Sequence, residues 1–320
     1  ESGRGPISMV IGVVAAEMCA TAVVWVLVRF KPVIHFDRAI AGQMLRFGGA
    51  MFGAQLVGML WLQGDYLVIT RHFGGKSRAF GQYYTAFRLP ELVLGSVYNI
   101  FSNVAFPAYS AARATGDEAL RNASLKSLRI LCLFGFSAGV GMSLISRDFI
   151  TVVYPGFEGA IPVMQLLCLA GGFVAVGYAS GDLFAAIGKP RLGLYFQLVF
   201  VPVLVGGFIL FVSHGITAIA MVHLAVIVPY SIFRIEVANR LLGTTWRQSL
   251  AVLRPATVMV LGIVAFALPV RLLTTAGFAS LLAVFVAGAL GAVAGLAIGD
   301  RVMLAEVGEG IGKVRARIGR

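Results

Sequence analysis

Five ionisable residues sit inside stretches that are otherwise apolar: Glu17, Asp65, Arg88, Glu91 and Asp182. A charge placed at membrane depth is costly, so by default it faces the protein interior or a water-filled cavity. Arg88 and Glu91 are three residues apart and share a helical face. At 1.5 Å per residue, Asp65 lies ~10 Å from the outer end of its helix and Arg88 ~12 Å into the next one, which runs the opposite way. The spacing therefore predicts that Asp65 and Arg88 meet at one depth, with Glu91 one turn deeper. Glu17 falls near mid-bilayer on the first helix, and Asp182 near the inner end of its own.

Two kinds of chemistry fit these groups. In one, Arg88 receives an anionic group in a polar cavity, and Glu17, Asp65 or Glu91 binds a coupling cation. In the other, Asp65, Arg88 and Glu91 form a charge cluster that fixes helix register. Tyr83, Tyr84, Tyr98, Asn99 and Asn103 surround the cluster. Aromatic faces stack on sugars and amides hydrogen-bond to their hydroxyls, although Tyr also anchors membrane interfaces. Arg88, Tyr84 and Asn99 are the candidate substrate contacts.

Other chemistries have no footing in the sequence. His35, His72, His214 and His223 are scattered, so no metal site is expected. Cys19, Cys132 and Cys168 lie in apolar runs and read as small buried hydrophobes. No Walker A loop, GxSxG elbow or HExxH helix is present, which speaks against a nucleotidase or hydrolase. Asn122-Ala-Ser matches a glycosylation sequon but falls in an expected inside loop. No cofactor is expected beyond coupling to a proton or sodium gradient.

The elements that must hold these residues are membrane helices. The chain is 59% hydrophobic and 12% charged, half the charge of an ordinary soluble protein. Apolar runs of the length a bilayer demands recur at about 7–28, 45–70, 80–105, 127–146, 161–187, 192–212, 216–235, 256–270 and 278–299. This predicts an all-α integral membrane protein, a polytopic bundle of about nine transmembrane helices. With the start of the chain outside, nineteen of the 26 Lys and Arg fall in inside segments, six outside, and Arg88 within a span. That bias sets the orientation. It also assigns the net charge of +12 to topology and anionic lipid rather than to nucleic acid.

Segment 237–254 carries Leu242, Trp246, Leu250 and Leu253 on one helical face and Arg240, Arg247 and Arg254 on another, the pattern of an amphipathic helix in the headgroup plane. The tail 300–320 repeats it with Ile311, Val314 and Ile318 against Lys313, Arg317 and Arg320. Gly49 and Gly53, Gly135 and Gly139, and Gly291, Gly295 and Gly299 stand at the spacing that lets helix backbones approach.

Residues 44–112 resemble a known family. Phe47-Gly48 opens a helix and Asp65 sits late in it. A short Gly loop leads to Gly81-x-Tyr83-x-x-Ala86, then Leu89-Pro90, then a close on Phe106-Pro107-x-x-Ser110. This order resembles the polysaccharide transporter (oligosaccharide flippase) family of the multidrug/oligosaccharidyl-lipid/polysaccharide exporter superfamily. VVYPGFEGAIPVMQLLCLAG and LFAAIGKPRL extend the likeness more weakly. The resemblance implies the C-terminal lobe of a two-lobe flippase plus two extra C-terminal helices, starting at the family's sixth helix. By that likeness 1–40 is the last helix of the first lobe with an inside linker, 41–236 a six-helix lobe, 237–254 an amphipathic linker, 255–299 two added helices, and 300–320 a basic tail. The implied activity is movement of an undecaprenyl-pyrophosphate-linked oligosaccharide across the inner (plasma) membrane by alternating access. Arg88 would receive the pyrophosphate or a sugar acid. Implied partners are membrane lipids and polysaccharide polymerase or glycosyltransferases. A lipid II flippase, a cation-coupled drug exporter, a membrane-embedded envelope-synthesis enzyme and a scaffold remain the rival readings.

Overall fold

The computed structural model describes residues 5–28 and 38–299. The described residues are helical throughout, with no strand. The helices are α1 (Gly5–Val28), α2 (Arg38–Phe73), α3 (Arg78–Pro90), α4 (Ser96–Thr115), α5 (Asp117–Val153), α6 (Ala160–Ala186), α7 (Arg191–Phe211), α8 (Ile216–Leu242), α9 (Trp246–Leu273) and α10 (Phe278–Gly299). A π segment, Glu91–Gly95, joins α3 to α4 without a break. The described residues thus form nine rods.

Six of them, α5 to α10, are long and apolar enough to cross a membrane by length and composition. The chain is a multi-pass membrane protein on that count. The other three of the nine expected spans fall short of the same measure. Helix α2 carries Arg38, Arg46, Asp65 and Arg71, the 78–115 rod carries Arg88 and Glu91 in its outer half, and the apolar run of α1 is Ile11–Trp25.

The chain divides into two units, Glu1–Gly53 and Ala54–Arg320. In the first, α1 exposes apolar side chains all round, Val13, Met18 and Leu27 among them, as a helix solvated by lipid or protein would.

In the second unit α6 is central, with Met164, Cys168, Ala175 and Leu183 fully or nearly fully buried. Helices α5 and α6 close on each other through glycine. A Cβ at Gly139 would stand 2.6 Å from the Cys168 carbonyl, so no side chain fits. Helices α9 and α10 form a hairpin by the same device, since a Cβ at Gly295 would stand 2.7 Å from Cα of Met259. Two of the three expected glycine sets thus sit at helix contacts. A Cβ at Gly53 would meet nothing within 4 Å, and the side of Gly49 lies outside the description.

Long-range hydrogen bonds sort the helix ends into two groups. Arg113 donates to the Ala186 carbonyl at 2.9 Å and Arg121 to Leu242 at 3.1 Å, which are the last residues of α6 and α8. Arg147 donates to the Thr274 carbonyl at the end of α9, at 3.0 Å, and Arg78 to Gly156. Each guanidinium satisfies a carbonyl that has no helical partner. The first two lie at ends that the charge pattern assigned inside, the latter two at ends assigned outside.

Segment 237–254 is not a separate helix. Helix α8 runs on to Leu242 and stops at Gly243, which takes φ 65°, a left-handed conformation that glycine adopts freely. Thr245 then caps α9 in a reciprocal box with Gln248. The expected inside linker over 29–37 and the basic tail 300–320 fall outside the described residues.

Candidate functional site

The 78–115 rod carries most of the candidate residues, and the π segment decides which way they point. A π turn holds about one residue more than an α turn. Glu91 and Asn99 are eight apart, which in an uninterrupted α-helix would turn one ~80° away from the other. With one residue absorbed, the spacing is close to two α turns and the two share a face. Pro90 and Tyr98 are related in the same way. As a result one face is buried from end to end, at Tyr83, Ala86, Pro90, Leu94, Tyr98, Ala105 and Tyr109. Tyr84, Arg88, Glu91, Asn99, Asn103 and Ser110 form an exposed polar stripe opposite. Pro90 lacks the N–H that would reach the Ala86 carbonyl, which loosens the ladder just ahead of the π segment.

The buried face is pinned by tyrosine hydroxyls. Tyr98 donates to the Gly171 carbonyl at 3.0 Å and Tyr109 to Ala179 at 3.3 Å, both on α6. Of the five residues expected to face a sugar, Tyr83 and Tyr98 are therefore core, while Tyr84, Asn99 and Asn103 are exposed. Asn99 accepts from the Tyr178 hydroxyl at 3.2 Å.

The three charges expected to cluster are divided between the two faces. Arg88 and Glu91 pair at 3.3 Å with side chains 57% and 47% exposed. Asp65 is buried on α2 and has other partners. One carboxylate oxygen accepts from the Tyr83 hydroxyl at 2.8 Å and the other from the Tyr66 backbone N–H at 2.8 Å. The expected meeting of Asp65 with Arg88 is thus replaced by a meeting with Tyr83. The Tyr66 ring stands between the two groups. It touches Phe80, Tyr83, Tyr84 and Phe87. Glu17 is exposed on α1, where its carbonyl accepts from Thr21.

Three further polar groups stand out. Asp182 is half-buried on α6 and accepts from Ser102 at 2.6 Å. Asp148 is fully buried on α5, accepting from Arg147 at 3.4 Å and the Gly277 N–H at 3.3 Å. Arg234, counted from sequence as an inside-loop charge, is 5% exposed within α8. It donates to Ser180 at 2.7 Å, Tyr230 at 2.6 Å and the Gly177 carbonyl at 2.9 Å. The rings of Phe184, Phe196 and Tyr230 surround it at 5.2–5.5 Å. The sequence held a signal for this: the apolar run of α8 continues to Ile235, past Arg234, with Tyr230 one turn before it.

Residues 2–156 match a family described as "Polysaccharide biosynthesis protein". The match covers just under half of the chain, which is similar to this family over that stretch. Asp65, Tyr83, Arg88, Glu91 and Asn99 all fall inside the family match, and Asp182, His223 and Arg234 beyond it. Over 184 residues, 56% of its length, the chain is 28% identical to the lipopolysaccharide biosynthesis protein WzxC of Escherichia coli (strain K12), covering 37% of that protein. It is 26% identical over 176 residues to the teichuronic acid biosynthesis protein TuaB of Bacillus subtilis (strain 168), covering 54% of this chain and 36% of TuaB. An uncharacterized membrane protein in the cps region of Klebsiella pneumoniae is 30% identical over 129 residues, 39% of this chain and 26% of its own. The chain thus matches less than two fifths of the length of these three relatives. No solved structure matches it.

Proposed function

We propose that this chain belongs to a flippase that carries a lipid-linked oligosaccharide or polysaccharide precursor across the inner (plasma) membrane by alternating access. The observation that carries the reading is the exposed polar stripe on the 78–115 rod, set among helices whose other exposed residues are largely apolar. A membrane helix has reason to display Arg88, Glu91, Asn99 and Asn103 on one face only where that face meets water or a polar cargo. The relatives named for lipopolysaccharide and teichuronic acid biosynthesis supply the class of cargo. In this reading all nine rods span the membrane, and the 78–115 rod lines the path.

The chemistry of the stripe suits a phosphate-linked sugar. The Arg88 guanidinium offers a fork of donors to a pyrophosphate or sugar acid. Glu91 holds it at 3.3 Å through a single contact, a partner that an incoming anion can displace. Asn99 and Asn103 offer amides to hydroxyl groups, and the Tyr84 ring, 48% exposed, offers a face for stacking. A drug exporter for organic cations is disfavoured by the cation at the centre of the stripe.

The test is flipping of an undecaprenyl-pyrophosphate oligosaccharide by the full-length protein in proteoliposomes. Arg88→Ala lowers flipping by ~10-fold or more, in line with loss of a charge-assisted hydrogen bond, and Arg88→Lys restores part of it. Unchanged flipping by Arg88→Ala at normal expression removes the reading.

A further inference from the structure

We infer that α5, α6, α8 and α9 enclose a binding site for one water molecule, held by the Asn239 amide. The four helices converge at the ends that the charge pattern assigns inside. There Ser124 on α5, Ser180 on α6, Asn239 on α8 and Ser249 on α9 line one cavity, together with Thr244 from the turn between α8 and α9. The rest of the wall is aliphatic.

Asn239 is the group that calls for an occupant. It is 6% exposed. Its oxygen accepts from the Thr244 hydroxyl at 2.6 Å and from the Ser249 hydroxyl at 2.7 Å. Its nitrogen is buried and bonds to no described residue. An amide nitrogen carries two donors, and a buried donor left bare is costly. Turning the amide over does not remove the problem. The nitrogen would then meet the two hydroxyls and the oxygen would be left bare. A water donates and accepts, so it satisfies either orientation.

Size and partners agree with this occupant. The cavity offers ≈ 20 Å³ to a water-sized body, and a buried water needs about 10–15 Å³ on that measure. Ser124 brings a hydroxyl that can donate or accept, and Thr244 and Ser249 keep lone pairs after giving their protons to Asn239. A water that accepts from Asn239 and donates to two of these oxygens makes about three bonds, the usual number for a buried water. It then joins α5 to the α8–α9 turn and belongs to the packing of the protein rather than to the bulk.

Ions fit the same groups poorly. Hard cations take several oxygen ligands, carboxylates above all, and the wall has no carboxylate. Two guanidinium groups also bond to wall residues, Arg234 to Ser180 at 2.7 Å and Arg121 to the Leu242 carbonyl at 3.1 Å. For an anion the wall has too few protons to give. Thr244 and Ser249 spend theirs on Asn239, and Ser180 gives its own to the Val176 carbonyl at 2.8 Å.

A structure of the full chain in lipid, at a resolution that shows ordered solvent, reads the site directly. The expected result is one density peak within about 2.7–3.2 Å of the Asn239 amide and of at least one lining hydroxyl. Absence of the peak overturns the site. So does a peak that gains anomalous scattering after exchange into bromide, which marks an anion. Thermal unfolding gives an independent sign. Ser124→Val removes a hydroxyl and puts a methyl group into the room that the water needs. With a water bound, this strands the Asn239 amide, so the peak is lost and the melting temperature falls by several degrees. A dry cavity would instead be filled by the same methyl group, and a raised melting temperature overturns the water. Ser124→Ala leaves the room open. It is expected to keep the peak beside Asn239 and to melt close to the wild type, and a loss equal to that of Ser124→Val counts against the water as the cause.

Discussion

Arg88 and Arg234 are both arginines on apolar helices, and the protein treats them in opposite ways. Arg88 stands on the exposed stripe with a carboxylate for company. Arg234 is buried in a notch of α6, where its donors go to neutral oxygens and three rings enclose it. Gly181 shapes the notch, since a Cβ there would stand 3.0 Å from the guanidinium. Asp182, on the same helix, is a carboxylate that bonds to Ser102 rather than to Arg234. The difference teaches that charge in a membrane helix is not by itself a sign of function. A guanidinium whose donors are met within the bundle fastens helices. One held loosely and in the open can exchange partners.

The contrast is broken most forcefully at Arg234. Arg234→Ala leaves the Ser180 and Tyr230 oxygens without the guanidinium donor in a buried notch, while the Gly177 carbonyl still accepts from Ser180. Each buried group left unsatisfied costs about 1–3 kcal/mol, so a loss of ~3 kcal/mol and a sharp fall in folded yield are expected. A lysine has one ammonium and no fork, so Arg234→Lys recovers only part. Thermal unfolding of the detergent-solubilised protein measures both. At Arg88 the order reverses. An exposed pair contributes about 0–1 kcal/mol, so Arg88→Ala leaves unfolding nearly unchanged while flipping falls. If the stability loss at Arg88 equals that at Arg234, the distinction between fastener and exchanger fails.

A sharper cut separates geometry from chemistry on the stripe. The π segment holds one residue beyond what an α-helix needs, so deleting Leu92, which is 57% exposed, lets the rod close into continuous α-helix. Both faces keep their register, because two α turns span about seven residues. The expected outcome is a folded protein with near-normal unfolding and flipping reduced several-fold, since the hydrogen-bond break beside Arg88 and Glu91 is gone. Inserting a residue at the same place instead turns the inner half by ~100° and exposes Tyr98 and Tyr109. That variant is expected to fold poorly. Equal behaviour of the deletion and the insertion would show that the π segment has no part in keeping the register.

How much of this was legible in the sequence depends on which coordinate is asked for. Hydropathy orders the apolar runs along the chain, and there each of the nine runs recurs as a rod among the described residues, six of them long and apolar enough to cross a membrane. Four of the nine expected runs match their rods within two residues, and the other five rods extend past theirs by seven to ten residues at one or both ends. The guanidinium bonds pair ends that the charges had paired. Rotation about a helix axis was not legible. Asp65 and Arg88 were matched by depth alone, but whether they meet depends on azimuth, and Tyr83 rather than Arg88 holds the azimuth that reaches Asp65. LPELVLG looks like ordinary helix, and nothing in it except Pro90 and Gly95 hints at the extra residue. Arg234 was lost for a different reason. A rule that counts charges near helix ends takes any arginine there as topological, and burial depends on whether a facing helix offers a notch, here Gly177, Ser180 and Gly181. The Thr245–Gln248 capping box was present in the sequence and marked the start of α9, inside the segment taken as a linker.

The aqueous end supplies the mildest version of the comparison. Arg78, in the first turn of α3, donates to the Gly156 carbonyl, and Glu158 accepts from the Gly156 N–H at 2.9 Å. The Glu158 carboxyl is held below the usual range by its own backbone N–H and that of Gly156, with a smaller contribution from Arg78. A lowered folded value means that the stabilisation is present above the unfolded value, about 4.3, and is lost as pH falls through the folded value. Glu158→Gln is therefore expected to remove a small part of the loss of melting temperature on acidification and to change little at neutral pH. Because Glu158 is solvated, salt should weaken the effect further. The Arg234 contribution should persist in the same salt titration, because its partners are neutral oxygens buried between α6 and α8. A salt dependence at Arg234 as steep as that at Glu158 would mean that water reaches the notch, and Arg234 would then have to be placed with Arg88 among the exchangeable arginines.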